Sequence, residues 1–296
     1  MVNFIKYRKI YYLITGALLI GSIASFLLYG FNYGIEFTGG SILELSFSDN
    51  RPSNQEVEEI LKTEKLDQFN VQPVGEKEMS IRLPYINEAK HQDLKNKLKE
   101  KWNFEEISFE GIGSVIGAEL KSRTKLVVAL ALIAIIFYIT LSFKQVSYPI
   151  KSWQYGVSSL FTIAYDLIIV LGVFSVLGHF YNISLTIPII TALLMIVGYS
   201  INNTVVVFDR IRENSNKYYK NDYQEIVNVS LNQTLFRSLG TSLTTLFPLL
   251  AIFFLAGQSL KYFSLALILG ISVGAFSSLF LTSSVLVSWY FYKTEK

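Results

Sequence analysis

The sequence contains no cysteine in 296 residues, so disulfides, thiolate nucleophiles and cysteine-built zinc sites are all excluded. Histidine is nearly as scarce. His91 and His179 are the only two, too few for a histidine-built metal centre. Charge is thin as well, at 17% of residues against 51% hydrophobic, a balance that points to a membrane protein. The net charge of +3 says little by itself, because the charges are unevenly placed. Between Phe31 and Lys121 lie 17 of the 23 acidic residues, whereas the remainder of the chain holds 15 basic and 6 acidic ones. One acidic, soluble block is therefore set among basic-flanked apolar segments. No cofactor, no metal and no nucleic-acid partner is expected.

The first apolar run is Ile10 to Tyr29, preceded by Lys6, Arg8 and Lys9. Ser22-Ile23-Ala24 mimics a signal-peptide cleavage site, yet the run continues through Phe26-Leu27-Leu28 and reaches the ~20 residues that a full span needs. It reads as an anchor. Five further runs follow: Leu126 to Phe143, Tyr155 to Leu177, Ser184 to Phe208, Leu231 to Ala256 and Phe263 to Tyr290. Each is at least ~18 residues long, which predicts six transmembrane helices. Lys6, Arg8 and Lys9, then Lys144 and Lys151, then Arg210, Arg212, Lys217 and Lys220, and finally Lys293 and Lys296 all fall on one side. The positive-inside rule makes that side cytoplasmic and both termini with it. The expected division is a first helix over residues 1–30, an extracytoplasmic domain over 31–122, and a five-helix membrane region over 123–296.

Within the acidic block, Ser41 to Ser48 alternates apolar and polar residues, a strand signal. Ser53 followed by Glu56 is a capping box opening a helix to about Lys65. Phe69 to Pro73 and Met79 to Leu83 read as strands around the Gly75 turn, Asn87 to Lys101 as a charged helix, and Phe104 to Phe109 as a closing strand. The order is βαββαβ, the ferredoxin-like plan. The predicted fold is thus an all-α membrane bundle with an inserted α+β domain. The carboxylates of the block lack any metal-loop spacing and read as a solvated acidic surface.

Polar residues inside the spans stand out against this background. Ser200, Asn202, Asn203 and Thr204 interrupt the fourth apolar run, Asp166 sits mid-way along the third, and Arg237 lies in the fifth. Unpaired polar groups in hydrocarbon cost several kcal/mol, so such residues either bind helices together or face a working interior. At 1.5 Å per residue, Asn203 lies ~8 Å and Arg237 ~9 Å from the cytoplasmic ends of their spans, which puts them at one depth. Gly270 and Gly274 form a Gly-x-x-x-Gly pair suited to close helix packing.

Four strings resemble the SecF family, the smaller partner of SecD in the bacterial protein-export accessory complex. Gly198 to Glu213 is similar to the family's Gly-Tyr-Ser-Ile-Asn-Asp-Thr-Val-Val-Val-Phe-Asp-Arg-Ile-Arg-Glu, departing from it at Asn203, where the family has Asp. Gly34-Ile35-Glu36-Phe37-Thr38-Gly39-Gly40 resembles Gly-x-Asp-Phe-x-Gly-Gly, with Glu36 for the aspartate. Ile112 to Leu120 resembles the string before the family's second span without its proline. Asn232 to Thr245 resembles the Asn-Gln-Thr-Leu-x-Arg string, and Tyr165-Asp166 falls on the family's His-Asp pair. Family-motif positions are therefore Gly34, Glu36, Phe37, Gly39, Gly40, Gly198, Ser200, Asn202, Asp209 and Arg210.

The resemblance implies a proton relay whose candidates here are Asp166, Asn203 and Arg237. It further implies residence in the bacterial cytoplasmic membrane and no enzymatic active site. The implied partners are a SecD-like six-span protein, a SecYEG-type translocon, a translocating preprotein and membrane lipids. It also implies export assisted by the proton motive force. An amide at 203 cannot ionise, which turns attention to Asp166 as the titrating group. The alternatives are half of a resistance-nodulation-division exporter of small molecules or lipids, and a structural subunit without ion coupling.

Overall fold

The computed structural model describes residues 2–64, 66, 69–142, 150–217 and 222–294. The expectations placed on Lys65, Phe143, Lys144, Lys220 and Lys296 lie outside these residues. Two compact units emerge. One is Asn32–Val127 with Ser184–Ile187; the other is Met1–Phe31, Val128–Ile183 and Pro188–Lys296.

The chain opens with α1 (Arg8–Tyr29), which ends where Gly30 takes φ +66° and its N–H returns to the Phe26 carbonyl at 3.0 Å. A single turn, α2 (Ile35–Thr38), precedes β1 (Gly40–Phe47). Gly39 and Gly40 join them at φ +74° and +136°, backbone that a side chain would strain. Then come α3 (Asn54–Thr63), β2 (Asn70–Val74), β3 (Glu78–Leu83), α4 (Glu88–Lys101) and β4 (Phe104–Ile112). The sheet is antiparallel in the order β2-β3-β1-β4. Alternation along β1 sends Leu43, Leu45 and Phe47 into a core with Met79 and Ile81, closed over by Val57 and Leu61 of α3 and Leu94 and Leu98 of α4. The expected capping box is present: Ser53 Oγ accepts from Glu56 N–H at 3.3 Å, and Glu56 accepts from Ser53 N–H at 2.8 Å.

The remaining elements are long helices: α5 (Ser114–Ser142), α6 (Ser152–Tyr181), α7 (Ile187–Lys217), α8 (Tyr223–Leu255), α9 (Gln258–Phe276) and α10 (Thr282–Thr294). A π-helical segment, Ser277–Leu281, fuses the last two into one rod. Among the described residues, five helices are long and apolar enough to cross a membrane: Ile5–Tyr29, Trp153–Tyr181, Ile187–Lys217, Tyr223–Leu255 and Leu260–Tyr292. α1 packs along α6 through small residues. A Cβ on Gly172 would come within 2.4 Å of the Ser22 Cβ, so this backbone approach requires glycine. Beside it, Ser25 Oγ donates to the Gly172 carbonyl at 3.0 Å, and Ser175 Oγ donates to the Gly30 carbonyl at 2.7 Å. α7 contributes most to the bundle core: Val197, Ile201, Val207, Phe208 and Ile211 are buried against Tyr155, Ile163, Val227, Leu231, Leu279 and Leu286.

Candidate functional site

Helical spacing on three rods builds the site. On α6, Ser158, Thr162 and Asp166 follow one another at i, i+4, i+8 and share a face. On α7, Ser200, Asn203 and Thr204 recur at i, i+3, i+4, all buried. On the last rod, Ser277 and Ser278 in the π-helical segment and Thr282, Ser283 and Ser284 at the start of α10 are each fully buried. A π-turn adds a residue to the helical repeat and so changes the rotation of the rod between Ser278 and Thr282.

Asp166 is fully enclosed, at 0% exposure. Ser200 Oγ donates to its Oδ2 at 2.6 Å, and the Ser277 side chain is directed at the same carboxyl. Its Oδ1 has no hydrogen-bond partner among the described residues. Gly274 lies beside the carboxyl, where a Cβ would make ordinary contacts, 3.4 Å from Oδ2 and 3.7 Å from the Ser200 Cβ. One turn away, Thr162 and Thr282 share a hydrogen bond at 2.6 Å between α6 and α10. Asn203 Nδ2, Thr204 Oγ1, Ser158 Oγ, Tyr165 OH, Ser283 Oγ and Ser284 Oγ are buried and likewise unpartnered among the described residues. Leaving one such group unpaired costs about 1–3 kcal/mol. A buried acid on a helical rod with several such groups in the same helical unit is the arrangement expected of an interior that handles a proton or a polar partner.

The other sequence-selected residues distribute as follows. Asn203 lies one turn from Ser200 on the buried face of α7, while Asn202 and Gly198 are exposed. Arg237 is exposed on α8. The Tyr199 to Ser242 hydrogen bond at 3.0 Å and the Arg210 to Gln233 bond at 2.7 Å pin α7 against α8 on either side of Asn203 and Arg237. The two residues therefore stand at similar depth, without facing each other. Asp209 pairs with Arg212 at 2.7 Å, and Arg210 pairs with Glu213, both at the charged end of α7. Gly34, Glu36, Phe37, Gly39 and Gly40 belong to the sheet-containing unit instead. Gly34 has an ordinary φ of −67°; it is glycine because a Cβ there would meet Glu36 Oε2 at 2.1 Å. The positive-φ glycines of this string are Gly39 and Gly40.

The hydroxyls of the last rod escaped sequence reasoning, as did Ser158 and Thr162. Their signal was present: Ser277, Ser278, Thr282, Ser283 and Ser284 crowd eight residues of an apolar run. Serine and threonine in apolar helices commonly satisfy themselves on their own backbone, so composition alone does not distinguish them.

Fold and site together define a multi-pass helical membrane protein that carries a small antiparallel α+β unit after its first helix and encloses a carboxyl group within its bundle. The family model described as protein export membrane protein SecD/SecF, C-terminal, matches residues 92–292, and the SecD/SecF GG motif matches residues 24–50. The chain belongs to the SecD/SecF family of protein-export membrane proteins. It is 35% identical to protein translocase subunit SecF of Thermobaculum terrenum, with 98% of this chain and 94% of the relative aligned. The corresponding SecF of Haemophilus influenzae is 34% identical, over 96% of this chain and 85% of the relative. The crystal structure of SecDF, a translocon-associated membrane protein from Thermus thermophilus, superposes with a TM-score of 0.86 at 34% identity. That match takes in 97% of this chain but spans only 38% of the SecDF chain.

Proposed function

We propose that this chain is the SecF-type accessory subunit of a Sec protein translocase, acting with a SecD-like partner and using the proton motive force to assist export across the bacterial cytoplasmic membrane. The observation that carries the reading is the enclosed Asp166, hydrogen-bonded by Ser200, in a chain of this family. A carboxyl group can hold and release a proton, whereas Asn203, where the family's motif has an acid, cannot. Asp166 is then the titrating group, Arg237 balances charge from α8, and Asn203 orients its neighbours. The SecDF relative of Thermus thermophilus is 36% identical over 94% of this chain, which is only 37% of that protein. The partner in this reading is a SecD-like protein, the counterpart of the part of that relative which this chain does not match.

In this reading α5 is the sixth span, and the β2-β3-β1-β4 sheet with its two helices is a ferredoxin-like domain over residues 31–122, outside the cytoplasm. The flanking regions, 1–30 and 123–296, form the membrane bundle with both termini inside. A SecYEG-type channel and the translocating preprotein are the further partners, within membrane lipid. The chain performs no catalysis of its own.

Because the chain has no cysteine, single cysteines report topology cleanly. Glu64→Cys and Lys95→Cys are expected to react with a membrane-impermeant thiol reagent in intact cells, and Asn216→Cys is not. Affinity purification in mild detergent is expected to recover a SecD-like protein, and adding the pair to Sec-containing vesicles to speed export when a proton gradient is imposed. Reversed labelling overturns the orientation. Export indifferent to the gradient overturns the coupling.

A further inference from the structure

Contacts within the helical unit fix a series of levels along it. Ile196 of α7 lies against Gly270 of α9, and the next level holds Asp166, Ser200 and Gly274. Thr162 and Thr282 form the third. At the fourth, Tyr155 meets the edge of Phe208 at 4.9 Å, and its hydroxyl stands 3.5 Å from that of Tyr223. This last level is the charged end: Tyr155 lies at the start of α6, Tyr223 opens α8, and Asp209 and Arg210 follow Phe208. The two halves on either side of Asp166 differ in kind. Away from the charged end, its buried neighbours along the rods are apolar: Val170 and Phe174 on α6, Ile196 on α7, and Ala266, Leu267 and Ile271 on α9. The polar groups buried in that half among the described residues, Ser25, Ser175 and Ser264, all donate to backbone carbonyls. The buried side-chain atoms of α6 to α10 that lack a partner among the described residues follow the opposite rule. They belong to Tyr165 and Asp166, or to Ser158, Asn203, Thr204, Ser238, Ser283 and Ser284, all nearer the charged end.

We propose that Asp166 exchanges its proton with the charged end alone, through a hydroxyl path along α6 (Thr162, Ser158 and Ser159, then Tyr155 with Tyr223), and that this chain closes it off from the opposite end. Thr162, Ser158 and Tyr155 recur at four- and three-residue spacing from Asp166 and share its face of α6, over about 16 Å at 1.5 Å per residue. Thr162 is joined to Thr282, which donates to the Ser277 carbonyl, and the Ser277 side chain is directed back at Asp166. A hydroxyl both donates and accepts. Each member of such a row takes one proton and gives up another, so only Asp166 and the water at the charged end change state. Unpartnered buried hydroxyls are also the groups that internal water joins, each water needing about 2–4 polar partners. The apolar half supplies no such partners. Among the described residues no lysine, arginine or second acid pairs with Asp166; the titratable groups packed along the path are Tyr12 of α1 with Tyr165, and Tyr290 beside Tyr223, with Arg212 near Tyr155. This assignment rests on Asp166 being the titrating group of the reading above. For a proton to cross, the SecD-like partner must then complete the route to the opposite end.

The test reads Asp166 itself, by the infrared carbonyl band of its protonated carboxyl, assigned as the band that Asp166→Asn removes. The full chain is placed in vesicles with its SecD-like partner, and pH is stepped on one face at a time. Labelling of Asn216→Cys by an impermeant thiol reagent identifies the face at the charged end, since the chain has no other cysteine. Thr162→Val and Tyr155→Phe, which remove a hydroxyl and little volume, are expected to slow the response to steps on that face at least tenfold. Both should leave the response to the opposite face unchanged. Ser264→Ala, in the apolar half, should alter neither response. In vesicles holding the full chain without its partner, steps on the opposite face are expected to give no response within the time the complex takes. Unslowed responses at the charged face overturn the path. Equal slowing from both faces assigns Thr162 and Tyr155 to the shape of the site and overturns it too. A fast response to the opposite face in the chain alone overturns the closure. A band that responds to neither face in the complex removes Asp166 as the titrating group, and the path falls with it. Export that ignores the gradient while the band still responds fails the export reading alone and leaves the path standing.

Discussion

A carboxyl group closed off from solvent needs a hydrogen-bond donor, and a small residue supplies it. Ser200 donates to Asp166, and Gly274 lies beside the pair. Gly270, one turn earlier on α9, serves a different end: a Cβ there would fall 2.2 Å from Ile196 Cδ1 and 2.9 Å from its Cγ2. The branched Ile196 side chain cannot clear both contacts by one rotation. Gly270→Ala is therefore expected to lower stability by about 1–3 kcal/mol through overpacking. Gly274→Ala, whose Cβ would make ordinary contacts, should cost less than ~1 kcal/mol. Thermal unfolding of the two variants in the same detergent checks the order, and equal losses would contradict it. In the sequence this pair read only as a packing motif. Which glycine is closely packed and which lies beside an acid depends on the rotation of α9 against α6 and α7, and residue spacing alone does not encode that rotation.

At the scale of elements, the sheet-containing unit was the most legible part. Ser53 with Glu56, the alternation of Leu43, Leu45 and Phe47, and the turn at Gly75 are local signals, and each element lies within a few residues of its expected place. The π-helical segment was not legible, because its geometry follows from how the last rod packs on α6 rather than from propensity. The link between α3 and α4 was equally hidden. Glu64, the residue closing α3, accepts from Lys90 and Lys97 of α4, each at 2.5 Å. These hydrogen bonds, Lys90's foremost, hold its carboxyl below the usual 4.5. A carboxyl depressed in the folded state contributes stability that is complete above the ordinary value and is lost as pH falls through the depressed one. Glu64→Gln is accordingly expected to weaken the unit by about 1 kcal/mol at neutral pH. It should have no effect in acid below the glutamate range, where the group is protonated in both states. Amide exchange of α3 and α4 in the full chain at the two pH values measures this; a cost that persists in acid would contradict the assignment.

For the whole molecule, the family was legible from short strings, and so was the placing of an α+β block after the first helix. The interior was legible at its acid and at Ser200, Asn203 and Thr204 of α7. Asp166 declares itself as a charge in an apolar run, whereas the buried hydroxyls of α6 and the last rod are ordinary residues that only the packing of the helices makes unusual. Arg237 shows the converse, a charge conspicuous in the sequence that lies exposed on this chain rather than against Asp166. The central claim is that export is driven through Asp166 in a chain whose residue 203 is an amide. The most direct measurement is gradient-driven export in vesicles containing the full complex, comparing Asp166→Asn with wild type and with Asn203→Asp. Asp166→Asn is expected to reduce the gradient-dependent rate at least tenfold while leaving gradient-independent export unchanged, and Asn203→Asp to retain export. Full gradient-dependent export by Asp166→Asn would contradict the account.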